Sequence, residues 1–131
     1  MFGTNTRLDM LLVEISKGDY APFRAYLKEY EVTDLNLDSK CPLVLKNELG
    51  HLSKALQGTA VTSVDLYGNG IDSSNAIDFA ANLKNSQVKS VNLGYNQIDA
   101  AVAREVVAKL KDTFVKKIDL SLNKLKNIDA I

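Results

Sequence analysis

A chain that performs chemistry needs a nucleophile with its base, a set of metal ligands or a phosphate cradle, and the residues for these are sparse here. There is one histidine, His51, and one cysteine, Cys41. A lone histidine cannot assemble a zinc site, and no Cys-x-x-Cys pair is present. Cys41 stands just ahead of a helical stretch, where a helix N-terminus could lower a thiol pKa. No base accompanies it, so a small, partly buried turn residue is the expectation. His51 falls on that helical stretch, in the place that Asp78 takes later in the chain, and is expected at the surface. Gly68 and Gly70 flank Asn69 in a turn, but no Lys-Ser or Lys-Thr pair follows, which excludes a phosphate-binding loop. Asp65 and Asp119 alternate with apolar residues, as strand side chains do, and do not form an acid–base pair. The expectation is a chain that is not an enzyme and holds no cofactor and no metal.

Composition agrees with a soluble globular class. The chain has 131 residues, enough for one domain with a real core. Sixteen basic residues balance sixteen acidic ones. Neither a nucleic-acid footprint nor a polybasic membrane patch follows from that balance. The longest apolar stretches, Met10 to Val13 and Pro42 to Leu45, are far too short to span a bilayer. The first ten residues lack the apolar core of a secretory signal. A cytoplasmic location is the default expectation, although export without a cleaved signal would leave the same sequence. The single cysteine excludes an internal disulfide framework.

The elements that position these residues come from a repeat. Val61-Thr-Ser-Val-Asp-Leu-Tyr-Gly-Asn-Gly-Ile71 recurs as Val88-Lys-Ser-Val-Asn-Leu-Gly-Tyr-Asn-Gln-Ile98. It recurs again as Val115-Lys-Lys-Ile-Asp-Leu-Ser-Leu-Asn-Lys-Leu125, and the three valines are 27 residues apart. A degenerate copy, Val32-Thr-Asp-Leu-Asn-Leu, lies 29 residues before Val61. Trios such as Val64-Asp65-Leu66 alternate with period two, which predicts strands buried on one face. Ala76, Phe79, Ala80 and Leu83 then switch to helical spacing, as do Ala103, Val106, Val107 and Leu110. Leu49, Leu52, Ser53 and Leu56 hold the same places in the first unit. Asp72, Ser73 and Ser74 suit a helix start. Asn69, Asn96 and Asn123 fall where the chain leaves each strand, and are expected to satisfy backbone groups of the turn. The first unit has Lys40 there, which predicts an irregular turn.

The pattern apolar-x-x-apolar-x-Leu-x-x-Asn-x-apolar resembles the leucine-rich-repeat signature, and its long period resembles the ribonuclease-inhibitor-like type. The resemblance covers residues 32 to 131. It implies an α/β solenoid of four repeats, 32–60, 61–87, 88–114 and 115–131, the last incomplete. It also implies a parallel sheet on a concave face. Residues 1–31 do not repeat. Leu8, Leu11, Leu12 and Ile15 form one stripe, and Phe23, Tyr26, Leu27 and Tyr30 another, broken by Lys17-Gly18-Asp19. An N-terminal helical cap is expected, with Pro22 in the first turn of its second helix.

On such a scaffold the function is expected to be protein binding. A GTPase-activating role known among long-period repeat proteins needs an arginine finger. Arg7, Arg24 and Arg104 all lie outside the strand-to-helix turns. The strand face carries Asn36, Asp65, Asn92 and Asp119 in one column and Asp34, Ser63, Ser90 and Lys117 in another. Tyr67, Tyr95 and Leu122 are large side chains at places where the pattern requires none, and tyrosine is a frequent interface anchor. Tyr67, Tyr95, Leu122, Asp65, Asn92, Asp119 and Lys117 are therefore the expected contacts for a protein partner. Four strands span only about 15 Å, whereas a standard interface buries roughly 800 Å² per partner. Two alternatives stay open. One is a homo-oligomer joined through the uncapped C-terminal edge near Leu125, Ile128 and Ile131, where Lys116, Lys117, Lys124 and Lys126 could instead guard against pairing. The other, implied by resemblance alone, is a bacterial effector directed at host cells.

Overall fold

The computed structural model describes residues 6–41 and 47–125. The fold is α/β. Two helices, α1 (Thr6–Ser16) and α2 (Ala21–Glu29), precede an alternation of strands and helices: β1 (Asp34–Asn36), α3 (Leu49–Ala55), β2 (Ser63–Asp65), α4 (Ser73–Ala81), β3 (Ser90–Asn92), α5 (Ala100–Lys109) and β4 (Lys117–Asp119). The strands form one parallel sheet in the order β1-β2-β3-β4. Leu35 pairs with Val64, Val64 with Val91, and Val91 with Ile118, so the spacing of the sequence repeat is the register of the sheet. Parallel neighbours need a crossover of a dozen or more residues, and α3, α4 and α5 supply it.

The core lies between the sheet and the helices. Val61, Val64, Leu66 and Ile71 are buried, and so are their counterparts Val88, Val91, Leu93 and Ile98. Leu49 and Leu52 of α3, with Leu56 just past its end, stack beside Ala76 and Phe79 of α4, with Leu83 just past its end, all buried. Each such side chain contributes about 1.5–3 kcal/mol of burial, but only when a neighbouring unit covers it. Val107 departs from the expected stripe and is 50% exposed. Its counterparts Ser53 and Ala80 are buried against the next helix, and no described helix follows α5.

Local capping repeats along with the core. Asp72 and Asp99 cap α4 and α5, accepting hydrogen bonds from the N–H groups of Asn75 and Val102. Thr59, Ser86 and Thr113, again 27 residues apart, donate their hydroxyls to the carbonyls of Leu56, Leu83 and Leu110. The same hydroxyls accept from Val61, Val88 and Val115 N–H, which turns the chain from helix end into the next strand.

At the N-terminal end α1 and α2 pack on α3. The break between them is a left-handed residue, Gly18 (φ 89°), whose N–H donates to Ile15 O. Arg24 donates to Lys54 O at 2.7 Å and Ala55 O at 3.3 Å, placing a cation on the carbonyl end of α3. Its guanidinium stacks over Tyr20. His51, expected at the surface, is half-buried against this helical pair. Its Nδ1 lies 3.3 Å from Ser16 O, and its ring meets Tyr20 edge-on. The expectation failed because Asp78, its counterpart, faces no such pair. Tyr30 also leaves its stripe: α2 ends at Glu29, and Tyr30 is exposed beyond it.

Candidate protein-interaction surface

The sheet turns one side to the helices and leaves the other open. On the open side the fifth residue of every copy (Asn36, Asp65, Asn92 and Asp119) does the same local work. Each accepts through Oδ1 from the backbone N–H two residues on: Asp38, Tyr67, Gly94 and Ser121, at 2.8–3.0 Å. This is an Asx-type turn, which holds the chain as it leaves the strand. The Ser121 hydroxyl adds a bond to Asp119 at 2.6 Å. The Ser121 bonds, with a smaller contribution from the Lys117 charge, hold the Asp119 carboxyl below its ordinary pKa. Asp65, Asn92 and Asp119 thus stand on the open face with one oxygen already used for the turn.

Beneath that turn runs an asparagine ladder. Asn69 Oδ1 accepts from Cys41 N–H. Asn96 Oδ1 accepts from the N–H groups of both Asn69 and Ile71, and Asn123 Oδ1 from those of Asn96 and Ile98. The amide groups reach back as well, to Leu37 O, Leu66 O and Leu93 O. Every asparagine therefore ties its own unit to the one before. Cys41, half-buried, is fastened to the first rung.

The eighth position of each copy shares a backbone conformation that the residue types do not announce. Ser39 (φ 53°), Gly68 (φ 69°), Tyr95 (φ 52°) and Leu122 (φ 58°) are all left-handed. Glycine enters this region without steric cost, whereas side-chain-bearing residues are held there at roughly 1–2 kcal/mol. Tyr95 is 61% exposed and Leu122 is 67% exposed. Tyr67, half-buried, leans on Tyr95 with ring centroids 5.7 Å apart. Tyr67, Tyr95 and Leu122 thus project together along one margin of the sheet, at its strand-to-helix turns. Lys117 lies on the exposed face near the opposite ends of the strands, in register with Ser90, and Lys89 and Lys116 immediately precede that pair. The signal available from sequence for the left-handed column was Gly68 alone. The Asx column was more legible, since all four of its members are Asn or Asp.

Among the described residues no group of His, Cys, Asp and Glu is placed to hold a metal ion. No described helix is long and apolar enough to cross a membrane.

The architecture defines a class, an α/β fold whose strand-plus-helix units lie side by side in one parallel sheet. No protein-family model matches the chain, and no curated protein matches it. Among solved structures it is similar to a chain described as leiomodin-1 actin-binding site 2, with a TM-score of 0.63 and 19% identity. The match covers 94% of this chain and 65% of that one. At that identity the likeness is one of fold.

Proposed function

We propose that the chain is a leucine-rich-repeat module of the long-period, ribonuclease-inhibitor-like type. In this reading it is a short solenoid without catalytic activity that binds a protein partner on its strand face, around Tyr67, Tyr95 and Leu122. The repeat reading is supported by the 27-residue period, by the pairing of each strand with a helix and by the ladder at the asparagine position.

The observation that carries the binding site is the pair Tyr95 and Leu122. Both hold a left-handed backbone, and both leave a large apolar surface in water. Folding stability alone favours glycine or asparagine there. A partner that buries the two side chains supplies the compensating term, as aromatic and apolar anchors do at interface centres. Asp65, Asn92 and Asp119 border these anchors and Lys117 lies farther along the strand face; such polar and charged groups orient a partner more than they hold it.

The name of the similar structure includes an actin-binding site. Actin is accordingly the first partner to try. Co-sedimentation with actin filaments, and affinity capture with identification of the retained protein, would compare the native chain with a Tyr95→Gly, Leu122→Gly double variant. The expected result is a partner whose affinity falls by tenfold or more in the variant, on the order of the loss of one or two interface anchors. A partner held equally well by both forms would remove the strand margin as the site.

A further inference from the structure

We propose that β4 is the seam of a two-fold symmetric dimer, pairing antiparallel with β4 of a second copy about Ile118, so that Lys117 of each copy faces Asp119 of the other. It shares Lys117 and Asp119 with the partner surface above but not that surface's anchors, Tyr67, Tyr95 and Leu122.

Among the described residues the fourth unit is less covered than the units before it, in both layers. Val115, Ile118, Leu120 and Leu125 are half-buried, whereas the same positions in the two preceding units are fully buried. Val107 adds the exposed edge of the helical layer. An end with this composition gains stability from any apolar cover. What selects a second copy is the backbone and the charges.

Backbone direction alternates along a strand. Lys117 N–H donates to Lys89 O and Asp119 O accepts from Leu93 N–H, so residues 117 and 119 face β3. Ile118 and Leu120 therefore turn their N–H and C=O outward. In the preceding units the outward N–H groups of Leu37, Leu66 and Leu93 reach the next strand. At Leu120 no described strand follows. A second copy can pair with this edge antiparallel about Lys117, about Ile118 or about Asp119. Centred on Lys117, the two lysines oppose each other. Centred on Asp119, the two aspartates do. Centred on Ile118, the outward groups of Ile118 exchange hydrogen bonds with their own counterparts, and each Lys117 stands opposite an Asp119. These are non-hydrogen-bonded pairs, in which side chains approach most closely. Lysine on an edge strand ordinarily prevents pairing. With an acid two residues away, it instead admits one register and rejects its neighbours.

Head-to-tail stacking on β1 of the second copy fits less well. Leu35 and Leu37 at that end are already buried. Lys40 stands where the ladder requires an asparagine to receive Asn123 and Leu125 N–H.

Sedimentation equilibrium across a concentration series tests the proposal, with circular dichroism on each variant to verify folding. The native chain is expected to move from monomer to dimer. Lys117→Glu alone places two acid pairs across the seam, and Asp119→Lys alone places two basic pairs. Each should weaken dimerisation on the order of tenfold. An equimolar mixture of the two variants restores both opposite-charge pairs and should form a heterodimer. Among the described residues the Lys117 side chain has no hydrogen-bond partner, so Lys117→Glu carries the test if Asp119→Lys disturbs the turn at Ser121. A native chain that stays monomeric at every concentration would overturn the proposal. So would dimers that Lys117→Glu leaves intact.

Discussion

At the N-terminal end of the sheet Leu35 and Leu37 are buried, with α1 and α2 packed on the adjoining helix. At the other end Ile118 and Leu120, in the same positions of the fourth unit, are half-buried. The residue types are nearly the same and the strand register is continuous. The difference lies in what stands beside each unit. A unit of this fold cannot bury its own apolar face, so its contribution to stability belongs largely to its neighbours. The N-terminal end fills this role with residues that do not repeat. Arg24 ties α2 to the carbonyls of α3, and the His51 ring rests against Tyr20.

The largest effect should come from truncating one leucine position in an interior and a terminal unit. Leu93→Ala removes a fully buried side chain between two neighbours and is expected to cost about 2–5 kcal/mol. Leu120→Ala removes a half-buried one and is expected to cost about half as much, because less area leaves water and the site can relax. Urea denaturation of both variants in dilute, monomeric protein checks this. Equal losses would break the comparison, since they would mean that the fourth unit is as well covered as the third.

The asparagine ladder should show a smaller version of the same gradient. Asn96→Ala leaves Asn69 N–H and Ile71 N–H without their acceptor inside a buried turn, and frees Leu66 O as well. Each buried group left unpaired costs about 1–3 kcal/mol, so a loss near 3 kcal/mol is expected. Asn123→Ala frees Asn96 and Ile98 N–H closer to solvent, where water can replace the amide. Roughly 1–2 kcal/mol is expected there by the same reckoning. Amide hydrogen exchange sharpens the test, because loss of protection should fall on the unit before each substituted asparagine.

What could be read from the sequence follows the same division between repeating and non-repeating parts. The strand trios, the helix stripes and the asparagine column recur at a fixed period, so periodicity alone located them. Thr59, Ser86 and Thr113 carry that signal too, two residues ahead of the valine that opens each copy. His51 and Tyr30 were misplaced, because their surroundings depend on contacts between α1, α2 and α3 that no period encodes. The left-handed column was hidden for another reason. Ser39, Gly68, Tyr95 and Leu122 share a backbone angle and no side-chain property. Ile128 and Ile131, expected to flank the open end, lie outside the described residues.

That column supplies the smallest effect and the one with the opposite sign. Gly68→Ala should destabilise by roughly 1–2 kcal/mol, the cost of a left-handed conformation. It also brings a methyl group to 2.8 Å from Ser39 Oγ. Leu122→Gly removes that same backbone cost of about 1–2 kcal/mol. Against this stands about 0.5–1 kcal/mol from the greater freedom of glycine in the unfolded chain. Leu122 is largely exposed, so little packing is lost. The net expectation is unchanged or slightly raised stability, read as the urea midpoint. Leu122→Ala keeps the left-handed cost and should not share the gain. If both substitutions destabilise alike, Leu122 is held by packing, and the argument that a partner explains its presence fails. If only glycine is tolerated or favoured while partner binding is lost, the fold and the interface place opposing demands on one residue.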